Sequence, residues 1–132
     1  MSLDEAKRLD MINKYVEKAD QCWADAENAR TICSWSIVAN RMYYALVNSF
    51  RALLLKDMHP SHTHNGIKSL IGMHYVVTGK LSDAEGKLYS QMETMREKAD
   101  YDCYFDATEE DINEKFEPVH QLLLHIKELL NE

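Results

Sequence analysis

The sequence predicts an all-α domain, an up-and-down bundle of four to five helices. Three observations predict it. Apolar residues recur at 3-4 spacing nearly from end to end of the 132 residues. Four Gly and two Pro are too few to turn the corners of a β-sandwich or barrel. Three of the breaks carry Ser or Thr followed three residues later by Glu or Asp, the pairing that satisfies orphan N–H groups at a helix start.

In chain order, Ser2 and Glu5 open the first helix, with Leu9, Ile12, Val16, Ala19, Trp23 and Ala26 as one stripe. A break over 31–34 precedes a second helix of about 34–56. Of the 21 residues from Trp35 to Leu55, 15 are apolar and lie around the whole circumference, so this helix must be covered on several sides and is the central one. Asp57 to His64 contains Pro60 and turn-forming residues and reads as a loop. A third helix places Ile67, Leu70, Ile71 and His74 on one face and stops near Gly79. Ser82 and Glu85 open a fourth, striped by Leu88, Met92, Met95 and Ala99. The aromatic, acidic stretch Asp100 to Asp106 lacks helical spacing. Thr108 and Asp111 then open a fifth helix along Ile112, Phe116, Val119, Leu123, Ile126 and Leu130, in which Pro118 predicts a kink or a restart.

With 45% hydrophobic and 28% charged residues, the chain is expected to be a single folded domain over 1–132. Its longest unbroken apolar run, Met42 to Val47, is far short of a bilayer span, so no membrane association is expected. No leader-like segment opens it, and its three cysteines include no CxxC pair, which points to reduced thiols and a cytoplasmic location. The net charge of −7 argues against a non-specific nucleic-acid binder. The charge is uneven, however. Residues 31–80 hold one acid, Asp57, against five bases and carry four of the six histidines, whereas residues 81–132 hold 14 acids against 5 bases. The middle is either mostly core, which excludes acids, or the lining of a local phosphate site.

Few residues propose chemistry by themselves. There is no phosphate-cradling glycine loop, no GxSxG elbow and no Cys/His nucleophile pattern, and neither a metal nor a cofactor is implied. His59, His62 and His64 crowd one loop at HxxHxH spacing without a carboxylate or Cys beside them. That suits a solvated, phosphate-facing or helix-capping loop better than a metal site. His120 and His125 do not share a helix face well and read as surface or partly buried side chains. Cys22, Cys33 and Cys103 read as small hydrophobes, and Trp23, Trp35, Tyr43, Tyr44 and Phe50 as core. The unusual cluster is Arg96, Asp100, Tyr101 and Asp102: a guanidinium, a phenol and two carboxylates within two turns. Either Arg96 simply pairs with Asp100 at i,i+4 at a helix end, or these residues line a ligand cleft with Arg41 as a second cation.

Five segments in order, Asn40-Arg-Met-Tyr-Tyr-Ala45, Arg51-Ala-Leu-Leu54, His64-Asn-Gly66, Thr78-Gly-Lys-Leu81 and Arg96-Glu-Lys-Ala-Asp-Tyr101, resemble the HEPN domain (higher eukaryotes and prokaryotes nucleotide-binding) in its small stand-alone prokaryotic branch. The resemblance covers roughly residues 5–130. It implies a helical bundle, a homodimer, and pairing with a minimal nucleotidyltransferase in a toxin–antitoxin-like system that binds nucleotide or RNA. In nuclease members, an arginine followed by His in an Arg-x4-6-His pattern cleaves RNA without metal at the dimer interface. Here Arg96 matches the arginine, making it the candidate catalytic residue, but Tyr101, Asp102 and Cys103 stand at the histidine's positions. A phenol with a pKa near 10 replaces imidazole poorly in proton transfer at pH 7. The resemblance therefore implies a binding and regulatory module using Arg41, Arg96, Asp100 and Tyr101. The alternatives are a ribonuclease toxin with a degenerate site, recruiting Arg41, His64 or His74, and a purely structural dimerisation domain. It also implies a modifiable tyrosine near the motif, Tyr104 first and Tyr101 second, as the target of AMP transfer by the partner.

Overall fold

The computed structural model describes residues 2–132, and those residues form five α-helices: α1 (Leu3–Thr31), α2 (Trp35–Lys56), α3 (His64–Ile71), α4 (Asp83–Tyr101) and α5 (Glu109–Leu130). Among the described residues none of the helices is long and apolar enough to cross a membrane. The three expected capping boxes all form: the Ser2, Ser82 and Thr108 hydroxyls accept from the backbone N–H groups of Glu5, Glu85 and Asp111, whose carboxylates accept in return. Each cap satisfies two otherwise orphaned donors and contributes roughly 1 kcal/mol.

α2 has no such cap at Ser34, and its stability comes from burial. Thirteen of its 22 residues are buried, Met42, Tyr43, Leu46, Phe50, Leu53 and Leu54 among them. α1, α3, α4 and α5 all pack against it. α3 widens after Ile71 into one π-helical turn, Gly72–Val76, where the Val77 N–H donates to the Gly72 carbonyl five residues back. The chain then leaves the helix through Gly79 at φ +80°, a conformation that costs glycine little. Tyr75, buried in the π-turn, donates its hydroxyl to Asp57 at 2.7 Å and ties this turn to the end of α2. Burial, with Asp57 adding to it, holds that phenol above its ordinary pKa.

Four expectations need correction. The N-terminal half of the α1 stripe is not core: Leu9 is exposed and Ile12 and Val16 are half-buried, and burial starts at Ala19. With 29 residues against 22, α1 outruns α2, so its first turns have too little chain to lean on. Cys22 is buried, but Cys33 and Cys103 are exposed thiols. Cys33 sits at φ +59° in the tight α1–α2 turn, which bulges into solvent. Trp23, Trp35 and Tyr44 pack on the rim of the core rather than inside it, whereas Tyr43 and Phe50 are fully buried. Finally, α5 does not restart at Pro118. The proline faces solvent, so the carbonyl it leaves unpaired can be hydrated, and buried Phe116, Val119, Leu122 and Leu123 hold both halves on the core.

Leu53, 1% exposed on α2, tests the central role of that helix. Leu53→Asp would bury an unpaired carboxylate at a cost of several kcal/mol and should abolish the cooperative melt by circular dichroism. A wild-type melt would contradict the assignment.

Candidate functional site

The site forms where the middle of α2 meets the C-terminal half of α4. The α2 residues Asn40, Arg41, Tyr43 and Tyr44 span its side, and Arg96, Asp100 and Tyr101 approach from α4 at i, i+4 and i+5. The guanidinium carbon of Arg96 lies 5.1 Å from the Tyr43 ring centre, 5.7 Å from Tyr44 and 5.7 Å from Tyr101, a three-sided aromatic enclosure. Arg96 is only 7% exposed, and its Nε–H has no hydrogen-bond partner. Its ion-pair partner Asp100 stands at 3.8 Å, too far for a hydrogen bond. Burial opposes the charge, and the surrounding Tyr44, Tyr43, Tyr101 and Asp100 more than offset it, so the pKa rises above the ordinary arginine value.

The Asp100 oxygen that faces Arg96 is also hydrogen-bonded across the seam. Asn40 Nδ2 donates to this Oδ2 at 3.1 Å, and Arg41 donates from Nε and Nη2 to Asn40 Oδ1 at 2.9 and 2.7 Å. Arg41 lies 5.5 Å over the Tyr44 ring and lines a groove of about 330 Å³ with Lys18, Gln21, Cys22, Asp25, Tyr44 and Asn48. Among the described residues no carboxylate lies within ion-pair distance of Arg41. All four expected ligand residues thus come together, with Arg96 set behind the tyrosines and Arg41 at the groove. Asp102 does not join them: its Oδ1 accepts from the Tyr104 N–H, closing the turn after α4. Tyr101 and Tyr104 are 78% and 95% exposed.

The three loop histidines go separate ways. His59 stacks on His74 at 3.8 Å, and His62 is exposed. His64 is brought to the site. Thr63 caps α3 by accepting from the Gly66 N–H at 2.9 Å, and a side chain on Gly66 would collide with the Ser61 and Thr63 hydroxyls. From the first turn of α3, His64 Nδ1 reaches the Tyr43 hydroxyl at 2.7 Å, with its ring 5.5 Å from Tyr43 and 6.1 Å from Tyr44. The same hydroxyl donates to Glu93 at 3.2 Å and meets the Tyr89 hydroxyl at 3.3 Å. If the Tyr43 proton goes to Glu93, His64 donates from Nδ1 and Nε2 is its basic nitrogen. Burial lowers the His64 pKa, and Arg51 and Arg96 lower it further. Burial raises Tyr43 above the ordinary phenol value and Tyr89 to about 12, so neither phenol ionises near neutrality.

Sequence reasoning missed Asn40 as a connector, and buried Tyr89 and half-buried Glu93 as partners of Tyr43. The i,i+4 spacing of Tyr89 and Glu93 on the inward face of α4 was the available signal.

The family model of the HEPN domain matches residues 12–129. The chain is 27% identical over 122 residues to a UPF0332 protein of Thermotoga maritima, a match covering 92% of each chain. It is also similar to two proteins of Methanocaldococcus jannaschii. It is 24% identical over 120 residues to "Putative toxin MJ0142", covering 90% of this chain and 81% of that one. To "Putative toxin MJ0605" it is 31% identical over 93 residues, covering 70% and 68%.

His64 should therefore be neutral at pH 7, with an NMR titration midpoint below the reference 6.5 that moves upward in Arg96→Gln. Because the folded state resists this protonation, its contribution to stability is present at neutral pH and is lost as pH falls below 6.5. A midpoint at or above the reference would contradict the arrangement.

Proposed function

The chain belongs to the HEPN domain family, and from that premise we propose that it is the binding and regulatory half of a pair with a minimal nucleotidyltransferase, holding the phosphate of a nucleotide or RNA at Arg96 and Arg41. The observation that carries this is Arg96: a buried guanidinium with an unpartnered Nε–H and a carboxylate 3.8 Å away retains donors for an anion. The planar fork suits phosphate, and Tyr101 and Tyr44 offer ring surface beside it. The toxin names of two relatives support a toxin–antitoxin-like setting. Tyr104, with Tyr101 second, is an accessible hydroxyl for AMP transfer by the partner.

A second reading, an RNA-cleaving site, is favoured by one observation: His64 shares Tyr43 and Tyr44 with Arg96. Its Nε2 would take the proton of a ribose 2′-hydroxyl as that oxygen attacks phosphorus, giving a cyclic phosphate and a 5′-hydroxyl, with Arg96 stabilising the added charge.

One experiment separates the two. A labelled short single-stranded RNA should bind with salt-sensitive affinity that drops at least tenfold in Arg96→Lys, with the melting temperature little changed and the RNA intact. Cleavage that disappears in His64→Ala would establish the second reading, and equal binding by wild type and Arg96→Lys would refute the arginine's role.

The protein should also be a homodimer, as its family membership suggests. Light scattering at micromolar concentration should read about twice the 15.3 kDa chain mass, and a monomer would contradict it.

A further inference from the structure

We propose that Asn40 is the positioning residue that keeps the anion site open, by holding Asp100 away from Arg96. This deepens the anion-site reading above and rests on it. The geometry forms one chain across the α2–α4 seam: Arg41 to Asn40, Asn40 to Asp100, and Asp100 facing Arg96. Asn40 suits this position because it presents opposite polarity at its two ends. Its carbonyl oxygen receives both N–H groups of Arg41, and its NH₂ donates to Asp100. Turned over, the amide would set NH₂ against guanidinium N–H and carbonyl against carboxylate, so Arg41 and Asp100 fix its orientation. Asp in its place would repel Asp100, and an apolar residue would hold nothing.

Without the Asn40 bond, Asp100 has a nearby alternative. A movement of about 1 Å would bring its carboxylate from 3.8 Å to the roughly 2.8 Å of a charge-assisted hydrogen bond with Arg96. Asp100 would then occupy the donors that a phosphate needs, as an internal competitor. In the native arrangement it stays close enough to offset the buried charge, and far enough to leave the guanidinium donors unfilled.

The test titrates the labelled RNA into wild type, Asn40→Ala, Asp100→Asn and the double variant. It also follows the Arg96 Nε–Hε cross-peak by NMR in the protein without RNA. Asn40 is half-buried on the helix surface, and Asn40→Ser, too short to bridge both partners, serves as a second variant should Asn40→Ala fold poorly. Asn40→Ala should bind about tenfold more weakly, the effect of one charge-assisted hydrogen bond. The double variant should recover wild-type affinity or better, a rescue that a merely structural role would not produce. The Arg96 cross-peak should shift in Asn40→Ala and return in the double variant. An unmoved cross-peak, as when Arg41 itself captures Asp100, overturns the inference whatever the RNA does, and so does a double variant as weak as Asn40→Ala. Absence of RNA binding by wild type, with the cross-peak still responding to Asn40→Ala, overturns instead the reading of Arg96 as an anion site.

Discussion

The whole arrangement depends on α2 being apolar around its circumference. A helix with no polar face cannot lie on the surface of a bundle, because any uncovered side would leave large side chains in water. α1 returns along it through a three-residue turn, and α3, α4 and α5 close the remaining sides. Polar residues on such a helix survive only where two covering elements leave a seam. Asn40, Arg41 and Tyr44 occupy that position: Tyr44 and Arg41 border the groove toward α1, while Asn40 and buried Tyr43 reach α4. The site is a consequence of how the core helix had to be covered.

Within that seam Arg96 is in energetic tension with its surroundings. Removing a guanidinium from water costs several kcal/mol unless partners replace the lost solvation. Three tyrosine rings and one distant carboxylate replace part of it. A sequence shaped only for stability would close the Arg96–Asp100 gap or fill the position with a leucine. Instead, the carboxylate accepts from Asn40, stands 3.8 Å from Arg96, and Nε stays unpaired. Local departures of this kind, where a cheap improvement is not taken, accumulate at functional sites.

Much of the fold was legible in the sequence because its causes are local. Capping pairs, periodicity and the all-round apolarity of residues 35–55 act through neighbours in the chain. The misread elements were those decided by tertiary geometry. Leu9 sits at helical spacing, yet whether a stripe is buried depends on the length of the partner helix. Cys33 was read from residue type, but the turn it occupies decides its exposure. Pro118 was read as a kink or a restart, and the restart fails because chain logic counts the lost hydrogen bond and not the four buried side chains around it. At the site, Arg96 with Asp100 and Tyr101 was readable from i,i+4 and i+5 spacing. Asn40 and Glu93 act across 60 and 50 residues of separation, and no pattern along the chain carries such a pairing.

The histidine question turns on the same distinction. Read along the chain, the positions five to seven residues beyond Arg96 hold a phenol, a carboxylate and a thiol, and a phenol is intrinsically a poor substitute for imidazole in proton transfer near pH 7. Read through space, an imidazole is present all the same, delivered from α3 by the Thr63 cap and the close turn at Gly66. Burial and two neighbouring cations lower its pKa, and Tyr43 holds its Nδ1, which suits a base better than a phosphate-gripping cation. On the proposed reading, electrostatic grip on phosphate would rest with Arg96 and Arg41, and any proton transfer with His64. The two proposed readings would use the same arginine, and what would separate them is whether a ribose hydroxyl reaches His64 when phosphate sits on Arg96.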